Sequence, residues 1–253
     1  MINGHGKQGL LESYELERRP VALLTVEHSK VHLDTHHATA EILKPDPSAV
    51  DTETETGLTL RQKIHDYYQE HDGENKDLGI EMGFHYDSLI NIPDGDDVTP
   101  APVWNARYYS PTTRPGARAP HVFLKDGSTA IFDLYGKDFT LVDFLDETNT
   151  GSQFLVDAAM SFSVPLKHVR LAGEEKAREI WEKGLVLVRP DGHVAWRGDE
   201  VLSFAAAKEI IERVIGGHRG AAAKKMAFGV SGDGEVTTQT DSFVLEKGGE
   251  FQR

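Results

Sequence analysis

Residues 185–198, LVLVRPDGHVAWRG, leave the backbone little choice. An apolar run from Leu185 to Arg189 meets Pro-Asp-Gly, and a second alternating run follows from His193 to Arg197. Proline presets φ, aspartate bonds its own backbone and glycine supplies positive φ, so the stretch predicts a tight β-hairpin. The flanks extend the pattern. A helix is expected in EEKAREIWEKG, stopped at Gly184, and a strand in LKHVRLA at 166–172. Another helix is expected from Ser152 to Phe162, preceded by a strand near Thr129 to Leu134. After the hairpin, SFAAAKEIIERVIGG reads as a helix capped by Ser203 and ended by Gly216. The order is β-α-β-α-β-β-α, which makes the fold class α/β.

That order is the one expected of a thioredoxin-like domain, here following a helical N-terminal segment. The chain has no cysteine, so it has no Cys-x-x-Cys pair, no dithiol chemistry and no zinc–thiolate site. Its formal charge is −14, which argues against nucleic acid and anionic membranes as partners, since both attract basic surfaces. No stretch has the apolar core of a signal peptide or the length of a membrane span, so a cytoplasmic protein is expected.

Upstream, residues 9–19 read as an amphipathic helix, with Pro20 opening a second helix from Val21 to Leu43. The second helix carries His28, His32 and His36 on one face, with His37 and Asp34 alongside. Imidazoles at i and i+4 can chelate zinc. Without a His-Glu-x-x-His pattern the face reads instead as solvated or covered by a further domain, and no metal is expected. Residues 44–57, rich in Pro, Asp, Thr and Glu, read as a surface loop or disordered linker. A third helix follows over 58–71, and residues 82–92 alternate as a strand does.

Groups able to move a proton or hold an aromatic anion gather in the middle of the chain. His65 and Tyr68 stand three apart on the third helix; His85 and Asp87 share the polar side of the 82–92 segment. Tyr109 and His121 flank an arginine-rich loop. These six are the candidate catalytic groups. Arg114 and Arg118 offer bidentate donors to a phenolate or carboxylate, with Trp104 and Tyr86 as aromatic walls of a substrate site. Arginines in such loops also serve to lock backbone carbonyls in place.

Several motifs carry a resemblance. RPGARAPH at 114–121 is followed by L-x-D-G-S-T, D-L-Y-G and F-T-L; LLESYELERRPVA begins at Leu10; Gly83, Phe84, Tyr86, Ser88, Pro93, Asp94 and Gly95 keep a further pattern, as does LVRPDGHVAWR. Together these resemble the C-terminal part of the flavin-dependent aromatic hydroxylases, the phenol 2-monooxygenase-like family. The resemblance implies a remnant helical and strand region over 1–113 and a thioredoxin-like domain over 114–216; residues 217–253, rich in Gly, Ser, Thr and charge, are expected to be a flexible tail. The family's dinucleotide fingerprint and ribityl-side Gly-Asp motif have no counterpart here, so no cofactor is expected. The leading functional expectation is a cofactor-independent acid/base enzyme, a cyclase, isomerase or dehydratase acting on a phenolic or polyketide-like molecule. The alternatives are half of a split FAD-dependent monooxygenase and a non-catalytic interaction module. Residues 9–43 are expected to be covered by a second copy or by a partner chain.

Overall fold

The computed structural model describes residues 4–71, 76–95, 102–146 and 149–217. The tail expected over 217–253 lies, beyond Gly217, outside them. A four-stranded sheet holds the C-terminal half together, in the order β2-β1-β3-β4, with β1 at Phe139–Asp143, β2 at Leu166–Arg170, β3 at Leu185–Val188 and β4 at Val194–Gly198. β1 pairs parallel with β2 through the crossover helix α4 (Gly151–Ser161), and antiparallel with β3. α5 (Glu175–Trp181) leads into β3, and α6 (Phe204–Val214) follows β4. The element order is the predicted one.

β1 and β3 are buried along their whole length because both sheet faces are covered. Alternation divides their side chains. Leu141, Leu185 and Leu187 pack with α4 and α6 residues such as Leu155 and Ile211, while Val142, Val186 and Val188 pack with Trp181 and Ile131 on the other face. Ser203 caps α6 by accepting from the Ala206 amide. Gly216 then turns at φ +80°, and its carbonyl accepts from the Gly9 amide at 3.1 Å. The start of the first helix is thereby tied to the end of the last.

Six local expectations need correction. Residues 8–43 form one helix, α1 (Gln8–Leu43), with Pro20 inside it. Proline removes one donor, but Leu16 and Pro20 are both exposed, so water can serve the freed carbonyl. The 44–57 linker is ordered: Pro47–Asp51 is a 3-10 turn capped by Asp46, and Arg61 of α2 (Glu55–Glu70) donates to the Val50 and Thr52 carbonyls at 2.7 and 2.9 Å. α2 also begins earlier than expected, capped by Thr54. Residues 82–92 are not a strand. Tyr86 bonds Gly116 and Ile92 bonds Ala195, with a turn between them, so no continuous ladder forms, although Tyr86 and Ile90 do point inward. Ile131–Leu134 is a 3-10 turn, and the first strand is Phe139–Asp143. The turn lets Ile131, Phe132, Leu134 and Tyr135 all pack on one core, which strand alternation would forbid. Finally, α5 stops at Trp181, before Gly184, because Glu182 takes positive φ and binds Arg197.

Two buried charge clusters pin the N-terminal segment to the hairpin. Glu17, 4% exposed on α1, accepts from both Arg189 terminal nitrogens at 2.6 and 2.8 Å, and from Ser88 at 2.6 Å and Asn91 at 3.1 Å. Arg197 of β4 is held by Asp94 at 2.6 Å and by Glu182, and it also donates to Thr113 at 3.2 Å. The second cluster fixes the loop that leads to the candidate site.

Candidate functional site

The 107–121 loop is pinned by backbone as well as charge. Gly116 donates to the Val194 carbonyl at 2.7 Å, and Ala119 to Gly192 at 2.9 Å. Gly116 has φ +95°, and a Cβ there would strike the Tyr86 carbonyl and the His85 ring. A rigid loop therefore presents Arg118 towards the 131–135 turn.

The Arg118 charge acts there on two phenols, Tyr109 and Tyr135. Its Nε, the Tyr109 hydroxyl and the Tyr135 hydroxyl are all buried without a hydrogen-bond partner. The groups are close enough to act on one another electrostatically. Burial raises both phenol pKa values, and the Arg118 charge only partly opposes it. Both tyrosines therefore stay protonated at neutral pH and remain O–H donors. Three buried, unsatisfied donors within electrostatic range of one another suit an acceptor with concentrated negative charge, such as a phenolate, enolate or carboxylate oxygen. His121 stands at the rim, exposed, with its ring edge-on to Phe123 at 4.8 Å and 5.3 Å from Phe132, which in turn lies 5.4 Å from Tyr135.

The other candidates lie in different neighbourhoods. His85 Nε2 lies 2.6 Å from the Pro115 carbonyl, which requires that nitrogen to carry the proton. Desolvation lowers its pKa, against that hydrogen bond and the nearby Asp87 charge, so it is neutral near pH 7. Asp87 is exposed. Tyr86 is 4% exposed; its hydroxyl accepts from Arg18 at 2.5 Å and its ring stacks on His193 at 4.2 Å. Arg114 stands 3.7 Å from Asp94, and the Trp104 indole donates to the Gly79 carbonyl at 3.3 Å. His65 is exposed on α2, where Tyr68 lies edge-on to Tyr67. The structure thus gathers Tyr109, Arg118 and, at the rim, His121. Tyr86, Trp104 and Arg114 brace the scaffold. Tyr135 joins the site although the sequence reading passed over it.

A second polar group also escaped that reading. Asp143 ends β1, is 3% exposed, and lies 2.9 Å from His168 Nε2. Burial pushes its pKa up, but hydrogen bonds from His168, Ser152 and the Leu145 amide outweigh burial and hold it below the usual range. A cavity of about 200 Å³ opens here, lined by Asp143, Asp146, Asn149, Ser152 and Arg170 among others. The sequence signal was an acidic residue closing the mostly apolar run Phe139–Val142, at the carboxyl end of a parallel pair where α/β sheets place ligands.

Neither place suits a flavin dinucleotide. The β1–α4 turn carries Asp143 and Asp146 where a pyrophosphate needs a glycine-rich, electropositive helix start. The cavity is below the range of about 300–1,000 Å³ usual for small-molecule pockets. No helix among the described residues is long and apolar enough to cross a membrane.

Residues 112–217 match the family model of the aromatic-ring hydroxylase C-terminal domain. The chain is 42% identical to the FAD-dependent monooxygenase opdD of Penicillium oxalicum, over 85% of this chain and 41% of that protein. It is likewise 42% identical to the FAD-dependent monooxygenase apdD of Emericella nidulans, over 85% of this chain and 35% of that one. Among solved structures, the rebeccamycin biosynthetic enzyme RebC with reduced flavin superposes with a TM-score of 0.67 at 30% identity, covering 86% of this chain and 38% of RebC. The chain thus spans roughly two fifths of the length of these proteins.

Proposed function

Since residues 112–217 belong to the aromatic-ring hydroxylase C-terminal domain family, we propose that this chain is the C-terminal unit of a flavin-dependent monooxygenase acting on an aromatic or polyketide-like molecule. In this reading it docks through α1 onto a flavin-bearing polypeptide that supplies the redox centre. One observation carries the reading: α1 is inverted. Its buried side chains are Ser13, Glu17 and Thr35, while Leu11, Leu16, Leu23, Val26 and Leu33 are exposed. At about 100° per residue these five fall within an arc of about 140°, roughly opposite the Glu17 side. The same arc carries the exposed Glu12, Glu15, Arg19 and Lys30, and the exposed Tyr14 and Val31 lie outside it, so α1 offers solvent a mixed apolar and charged surface, the composition usual of a non-obligate interface. Co-expression with the flavoprotein of the same source tests it. A stable complex is expected, and Leu11→Glu with Val26→Glu should dissociate it; a monodisperse homodimer that excludes the flavoprotein would refute it.

The three donors around Arg118 favour a second reading, in which the chain itself performs cofactor-independent proton transfer on a phenolic compound. Tyr109 and Tyr135 would hold an oxyanion while His121 moves the proton. Cyclisation, isomerisation or dehydration would fit. The reading requires that Arg118→Ala and His121→Ala abolish turnover by the isolated chain; unchanged turnover removes it.

A further inference from the structure

We propose that His28, His32 and Asp77 form a binding site for a zinc-class divalent cation that staples α1 to the short helix α3 (Leu78–Met82). The sequence places two of the ligands, because residues four apart on α1 share a face. The fold supplies the third. Asp77 precedes α3 and makes no capping hydrogen bond to it, and its carboxylate faces the two imidazoles instead.

The contacts have the character of a shared ion site. His32 Nε2 lies 2.7 Å from Asp77 Oδ2, and His28 Nε2 lies 2.9 Å from Oδ1. The second pair is close without hydrogen-bond alignment, and both of its atoms are buried with no other partner. Asp77 is 10% exposed and His28 17%. The two rings sit edge to face with centroids 5.2 Å apart. The ligand atoms all lie within 4.8 Å of one another. Tetrahedral zinc with bonds near 2.1 Å needs donor atoms about 3.4 Å apart, so the two His–Asp contacts must open by about 0.5 and 0.7 Å, a rotamer-scale adjustment. Two imidazoles and one carboxylate are a borderline donor set, suited to zinc over calcium or magnesium, and leave a coordination position for water. His36 and Asp34, the other candidates of this face, are exposed and stand outside the group. The ligands are 45 residues apart in sequence, so a bound ion would cross-link α1 to the segment carrying Tyr86 and Asn91.

The test uses the full, tag-free chain, stripped with chelator and titrated calorimetrically with zinc chloride. One equivalent should bind. His28→Ala and Asp77→Asn should each weaken binding by at least about tenfold, while His36→Ala leaves it unchanged. Absence of binding, or binding that persists in both ligand variants, overturns the proposal. Should those variants unfold, cobalt(II) added to the unmodified chain decides. Intense visible bands of low-coordinate, imidazole-bound cobalt sustain the site, and the spectrum of the hydrated ion overturns it.

Discussion

Replacing Glu17 with alanine tests how the N-terminal helix is held. Glu17 is 4% exposed and accepts four hydrogen bonds, two from Arg189 and one each from Ser88 and Asn91. Its removal leaves the Arg189 guanidinium, whose side chain is 10% exposed, with Asp191 at 2.6 Å as its remaining carboxylate. Breaking a buried pair from one side costs about 3–5 kcal/mol, and the surviving Asp191 contact sets the expectation near the lower end, about 3 kcal/mol. Urea unfolding gives the cost, and hydrogen exchange of α1 amides gives its location. The double variant Glu17→Leu with Arg189→Met should recover most of the loss, since no uncompensated charge stays buried. A single-variant cost below about 1 kcal/mol, the value of an exposed pair, would refute the clasp. So would a double variant less stable than Glu17→Ala.

Other outcomes follow from single groups. Asp143 has a depressed folded-state pKa, so its stabilisation is complete above the unfolded value of about 4 and is lost as pH falls through the lower folded value; Asp143→Asn should flatten acid unfolding in that window, read by circular dichroism. Asp126, fully exposed, is held at about 2 by the Thr129 hydroxyl and the Thr129 and Ser128 amides, so Thr129→Val should raise its NMR titration midpoint. Gly116→Ala combines positive φ with a backbone collision and should cost about 3 kcal/mol in denaturant titration. Tyr109→Phe removes a buried hydroxyl with no partner, so stability should rise by about 1 kcal/mol, while affinity for a phenolate or carboxylate ligand should fall.

The C-terminal half was legible because its signals are local. Apolar runs, the Pro-Asp-Gly turn, Ser203 and Gly216 each dictate their own backbone, and the structure keeps them. Alternation alone misled twice. Residues 84–90 bury every second side chain without joining a ladder, because their anchors lie on two different partners. Residues 131–135 look like a strand but coil to bring neighbouring apolar groups onto one core. The site was legible in part. Tyr109, Arg118 and His121 announce themselves as aromatic and cationic groups flanking prolines. Tyr135 comes under the Arg118 charge only through the fold, and Asp77 reaches His32 across 45 residues with no local pattern to mark it. His65 and Tyr86 had the right chemistry, but one is exposed on α2 and the other is spent on Arg18 and His193.

The most direct test of the central claim is the visible spectrum of the chain after incubation with excess FAD and gel filtration, alone and together with the flavoprotein partner. The account predicts that the chain alone emerges colourless. It also predicts that the complex carries a flavin band that Leu11→Glu with Val26→Glu removes from the fractions holding this chain. Stoichiometric flavin retained by the isolated chain would contradict it, as would a flavoprotein that never co-migrates with it.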